Sequence, residues 1–122
     1  MTEVFFADTY ALFEIIFKND DYKRFLKLIF VTTKSNLVEF YYHLLKDYGK
    51  NVADAHLKAF SSIIIPVTYE SIQEGMKFKL KFKKEKLSYV DCIGYALALE
   101  YGIKFLTGDQ KFEFKDNVEF VK

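Results

Sequence analysis

Four acidic residues, Asp8, Glu39, Asp91 and Asp109, stand where short apolar runs end or where helical patterns begin. Asp8 follows Val4-Phe5-Phe6-Ala7, and Asp109 follows Lys104-Phe105-Leu106-Thr107 across Gly108. Glu39 falls in the opening turns of one helical pattern, and Asp91 in the first turn of another that Ser88 opens. Carboxylates converging on one crevice repel each other and hold their protons more tightly unless cations join them. Hard divalent cations such as Mg²⁺ or Mn²⁺ prefer oxygen ligands of this kind. The chemistry open to such a set is metal-assisted displacement at phosphorus, with hydroxide generated from water and the leaving oxygen stabilised.

Each acid also has a purely structural use. Asp after a strand is a common helix N-cap. Ser88-x-x-Asp91 has the spacing of a capping box, and Asp109 after Thr107-Gly108 suits a turn. Glu39 lies off the apolar stripe of its helix, as any solvated glutamate would. Spacing alone leaves both readings open.

The elements that would position these acids alternate between short apolar runs and longer helical patterns. Val4 to Ala7 reads as a strand, and Asp8-Thr9 caps a helix through Phe17. A second helix is expected from Asp20 and Asp21, carrying Phe25, Leu26, Leu28 and Ile29. Phe30 to Thr33 reads as the second strand, followed by a helix from Ser35 to Tyr48. That helix places Leu37, Tyr41, Leu44, Leu45 and Tyr48 on one face, with Gly49 as its C-cap. A helix over Val52 to Phe60 leads to a third strand, Ile63-Ile64-Ile65, stopped by Pro66, and another helix begins near Thr68. A helix from Ser88 to Tyr101 ends at Gly102, and its Gly94, Ala96 and Ala98 suit close packing on a sheet. Lys104 to Thr107 is a further strand, with Val118 to Val121 as a last one at the edge. The stretch from Lys77 to Lys83 alternates like a strand, but Glu70 to Met76 before it is helical and no turn intervenes, so helix is expected.

Strands alternating with helices imply a parallel sheet covered on both faces. Ligands then bind beyond the carboxyl ends of the strands, where the acids fall.

At 122 residues the chain suits one domain, spanning 1–122, and no linker or repeat interrupts it. With 51% apolar and 29% charged residues it has the composition of a globular protein. A net charge of +1 excludes a general polyanion coat but not a local basic patch. The six lysines between Lys77 and Lys86 are such a patch, with Lys79, Lys83 and Lys84 the candidates for an RNA backbone. The alternative is a solvated face whose lysine stems cover Phe78 and Phe82. One cysteine, Cys92, excludes an internal disulfide, and no His is placed near it in sequence to activate it as a nucleophile. His43 and His56 lack the spacing of a zinc site. Tyr10, Tyr41 and Tyr42 are of a type that stacks on bases, although core or dimer contacts are the commoner use. The opening residues have no features of a leader peptide, and no apolar run reaches the length of a spanning helix. A cytoplasmic protein without membrane association is expected.

Taken in order, four segments resemble the signature segments of PIN domains, and in style the VapC-type toxin ribonucleases. They are Phe5-Phe6-Ala7-Asp8-Thr9, Asn36-Leu37-Val38-Glu39, Leu87-Ser88-Tyr89-Val90-Asp91-Cys92, and Phe105-Leu106-Thr107-Gly108-Asp109-Gln110-Lys111-Phe112. The resemblance covers essentially the whole chain. It implies a three-layer α/β/α sandwich around a mainly parallel sheet of four to five strands. It implies that Asp8, Glu39, Asp91 and Asp109 bind Mg²⁺ or Mn²⁺ and cut RNA, with Thr9 and Thr107 supporting them through hydrogen bonds. It also implies a homodimer and a partner antitoxin lying along a groove beside the site. One departure is Tyr10, where many relatives carry Asn or Ser. The alternative readings are a PIN domain that only binds RNA or protein, and a Mg²⁺-dependent phosphatase. The phosphatase needs a second Asp two residues after the first, where this chain has Tyr10.

Overall fold

The computed structural model describes residues 3–17, 20–25 and 29–122. Its strands are β1 (Val4–Ala7), β2 (Ile29–Val31), β3 (Lys104–Thr107) and β4 (Val118–Phe120). Its helices are α1 (Thr9–Ile16), α2 (Lys34–Tyr48), α3 (Lys50–Phe60), α4 (Tyr69–Lys81) and α5 (Tyr89–Tyr101). The strands form one sheet in the order β2-β1-β3-β4, and every pairing is parallel.

The central strands β1 and β3 explain the layering. Successive side chains on a strand point to opposite faces. Phe5, Ala7 and Leu106 join one buried cluster with Leu12, Ile15, Leu37, Phe40 and Leu44 from α1 and α2. Phe6 and Phe105 join another with Cys92, Tyr95 and Leu97 of α5. Apolar residues on both faces are what a parallel sheet buried between two helical layers demands. Helix α5 lies so close to the sheet that a Cβ on Gly94 would stand 2.6 Å from the Phe6 ring. Helix α4 packs outside α5, with Phe78 stacked on Tyr95 at 4.3 Å.

The expected α/β/α architecture is therefore present, with four strands. The Lys77 to Lys83 stretch is helical through Lys81. Phe78 and Phe82 meet edge to face at 4.9 Å, as an i, i+4 pair on one helical side does. Helix α2 ends at Gly49 and α5 at Gly102, which adopts the left-handed conformation.

Several expectations need correction. Ile63–Ile65 is not a strand: Ser61–Ile63 continues from α3 as a 3₁₀ turn, and only Ile64 bridges to the sheet, opposite Thr32. Pro66 can donate no further ladder bond. The second strand runs Ile29–Val31, starting one residue earlier than expected and ending two earlier, because Thr33 turns away to cap α2 by accepting from the Asn36 N–H. Asp20–Phe25 is a 3₁₀ helix, and Ile29 belongs to β2; Leu26 and Leu28 lie outside the described residues. On α2 the buried stripe is Leu37, Phe40 and Leu44, whereas Leu45 and Tyr48 are exposed. Phe40 takes the central place because it faces Phe13 at 4.9 Å and Phe60 at 5.6 Å.

Candidate active site

The carboxyl ends of β1 and β3 open into a cleft of about 560 Å³. Asp8, Glu39, Asp91 and Asp109 all line it. Four residues spread from position 8 to position 109 are brought together by β1 and β3 lying side by side and by the starts of α2 and α5.

Asp8 continues β1, its N–H donating to the Leu106 carbonyl at 3.2 Å. It then caps α1, with Oδ1 accepting from the Ala11 N–H at 2.8 Å. Its Oδ2 accepts from the Thr107 hydroxyl. Cap and cleft residue are thus the same residue, and the two readings of Asp8 do not compete. The Thr107 oxygen also accepts from the Asp109 N–H at 3.0 Å, so one hydroxyl ties both acids to β3. Asp109 in turn accepts from the Lys111 N–H at 3.0 Å, which shapes the turn after the strand.

On the other wall, the Thr9 hydroxyl donates to Glu39 Oε1 at 2.7 Å. Thr9 accepts from the Asn36 amide at 3.2 Å, and Asn36 accepts from the Thr33 hydroxyl at 2.6 Å. Asn36 is fully buried. A buried polar side chain one helical turn before Glu39 needs such partners. Ser88 caps α5 by accepting from the Asp91 N–H at 3.0 Å, leaving the Asp91 side chain in the cleft wall.

The electrostatics are those of crowded acids. Burial, then the Asp91 charge, raise the Asp8 pKa well above the ordinary carboxylate range. Burial also pushes Asp91 up to about 6; the Ser88 hydrogen bond pulls it down, while Glu39 and Asp109 add to the rise. An incoming cation would offset the charge that burial and neighbouring acids hold back here. Among the described residues, no three acidic, His or Cys side chains stand close enough to grip one ion directly. Mg²⁺ keeps several waters and uses one or two carboxylates, so the donor set fits a hydrated hard cation.

Lys111, Lys122 and His43 also line the cleft, and sequence reasoning had not assigned them to it. His43 follows Glu39 by one turn of α2, a spacing that would have flagged it. Lys79 is partly buried, donating to the Leu87 carbonyl and lying 4.7 Å over the Tyr89 ring. Lys83 and Lys84 are exposed on a 3₁₀ turn outside the cleft lining. Cys92 is buried in the core, and burial pushes its thiol up to about 11.

A wholly parallel α/β/α domain with four acids lining one cleft at its carboxyl edge is the class that fold and site define. Within that class the chain belongs to the PIN domain family, whose model matches residues 5–117. The fold is similar to Mycobacterium tuberculosis VapC20, described as a Sarcin-Ricin loop cleaving toxin. The TM-score is 0.77 at 19% identity, over 97% of this chain and 99% of that one. It is also similar to DNA-bound VapBC from Salmonella typhimurium, with TM-score 0.74 and 17% identity over 99% and 98% of the two chains. A toxin–antitoxin complex from Klebsiella pneumoniae aligns with TM-score 0.71 and 17% identity over 97% and 96%. No protein of curated function matches by sequence. Among the described residues no helix is long and apolar enough to cross a membrane.

Proposed function

We propose that this chain is a ribonuclease that hydrolyses RNA phosphodiester bonds with Mg²⁺ or Mn²⁺, as the toxin of a toxin–antitoxin pair. The observation that carries the reading is the buried Asp8 carboxylate, held by Ala11 and Thr107 in a cleft that three more carboxylates line. The similarity in fold to VapC20 and to VapBC complexes supports RNA as substrate and an antitoxin as partner.

Asp8, Glu39, Asp91 and Asp109 would hold the cation, one or two of them directly and the rest through its bound waters. Bound there, it would lower the pKa of a water and neutralise charge at the reacting phosphate. Thr107 fixes Asp8, and Thr9 fixes Glu39, so the carboxylates need little rearrangement when a cation arrives. Lys111 and Lys122, which line the same cleft, would supply positive charge for the neighbouring phosphates.

The test is cleavage of a mixed RNA pool with Mg²⁺ or Mn²⁺, beside an EDTA control and an Asp8→Asn variant. Asparagine keeps the cap on Ala11, so the variant folds while cutting falls by roughly a hundredfold or more. A folded variant with full activity would overturn the assignment.

A further inference from the structure

The surroundings of Tyr10 differ from those of the structural tyrosines. Tyr22 is fully buried and donates its hydroxyl to the Val121 carbonyl. Tyr95 is 5% exposed and donates to the Asp116 carbonyl. Tyr10 is 37% exposed and lines the acidic cleft.

Its ring is seated against the backbone that carries Asp109. A Cβ on Gly108 would lie 2.2 Å from Tyr10 Cε1 and 2.7 Å from Cζ, so any larger residue at 108 would displace the ring. Among the described residues, the one other ring in the lining is His43, engaged edge to face by Phe13 at 5.9 Å and Tyr42 at 5.4 Å. The rest of the wall is mainly carboxylate, ammonium and hydroxyl, suited to the charged backbone of a nucleic acid. Tyr10 adds a flat uncharged surface one residue from Thr9 and two from Asp8. A base joined to a sugar beside a phosphate at Asp8 falls within reach of that surface, and stacking needs no particular base identity. A ring already wedged against Gly108 loses little freedom on binding.

We propose that Tyr10 is the platform on which an unpaired base next to the cleaved phosphodiester stacks, which favours RNA that is unpaired at that position whatever the base. This rests on the ribonuclease reading above.

The test first maps the bond cut by wild type in a short single-stranded RNA. It then compares wild type, Tyr10→Phe and Tyr10→Leu on that RNA and on versions with an abasic ribose on either side of the bond. Tyr10→Leu should raise KM by roughly tenfold with kcat little changed, in the range of one lost base–aromatic stack. Tyr10→Phe should match wild type. On one of the abasic RNAs the penalty of Tyr10→Leu should disappear, because no base remains to stack. The proposal is overturned if Tyr10→Leu cuts like wild type, if its penalty persists on both abasic RNAs, or if Tyr10→Phe is as impaired as Tyr10→Leu. Wild type that cuts no RNA with Mg²⁺ or Mn²⁺ instead removes the ribonuclease reading, and the proposal with it.

Discussion

Raising the pH of the metal-free protein should destabilise it, and Asp91 sets a scale for the effect. Its pKa in the fold is about 6 against an ordinary 3.8, chiefly because burial opposes ionisation. Between those values the folded chain keeps a proton that the unfolded chain has released, so stability falls as pH rises through this window and levels off above it. A tenfold change in proton affinity corresponds to about 1.4 kcal/mol. Between about pH 5 and about pH 7.5 the Asp91 contribution therefore falls on the order of 1 kcal/mol, and Asp8, raised in the same direction, adds to it. For a domain of this size that is roughly 3–6 °C in Tm. The assay is thermal unfolding by circular dichroism in EDTA, comparing wild type with Asp91→Asn across that range. The variant should gain on wild type as pH rises, with the gap widening by roughly 1 kcal/mol. Adding Mg²⁺ should narrow the gap by stabilising wild type most where its acids are ionised. A gap independent of pH would refute the argument that Asp91 is held back by its surroundings.

Two further outcomes follow from the packing. Asn36→Ala unties Thr9 from Thr33 and leaves Glu39 less constrained, so cleavage should drop roughly 10–100-fold with a stability loss of about 1–3 kcal/mol; kinetics and urea unfolding measure the two effects. Gly94→Ala sets a methyl group 2.6 Å from the Phe6 ring at the α5–sheet contact. It should cost about 1–3 kcal/mol in urea unfolding.

What was legible in the sequence was whatever local signals decide. β1, β3 and α5 are bounded by residues that cap or stop them: Asp8, Ser88 and Gly102. Ile63-Ile64-Ile65 has the composition of a strand, but strand pairing depends on the neighbour. β2 offers it only the Thr32 bridge before Thr33 turns into α2. The face of α2 departs from its local pattern at Leu45 and Tyr48 for a related reason, since Phe13 and Phe60 draw Phe40 inward from elsewhere in the chain. The four acids were visible in order along the sequence through their flanking motifs. The entry of Lys111, Lys122 and His43 into the same cleft depends on the tertiary fold, with only the turn between Glu39 and His43 as a local hint. Asn36 carried a signal: an amide at a helix start, directly before the apolar pair Leu37-Val38, must find partners if it is buried.

The hydrogen bond from Thr107 to Asp8 joins residues 99 positions apart. Its consequence is one of timing. Closing so long a loop costs entropy before the pairing of β1 with β3 returns anything, so the centre of the sheet forms late. A chain growing on the ribosome at about 5–20 residues per second makes β1 first and must wait several seconds for β3. Until Thr107 and Asp109 emerge, the nascent chain has neither the middle of its sheet nor a complete cleft. Pairing of the central strands and assembly of the cleft thus coincide in one step, and no nascent chain that stops short of Asp109 carries the assembled cleft.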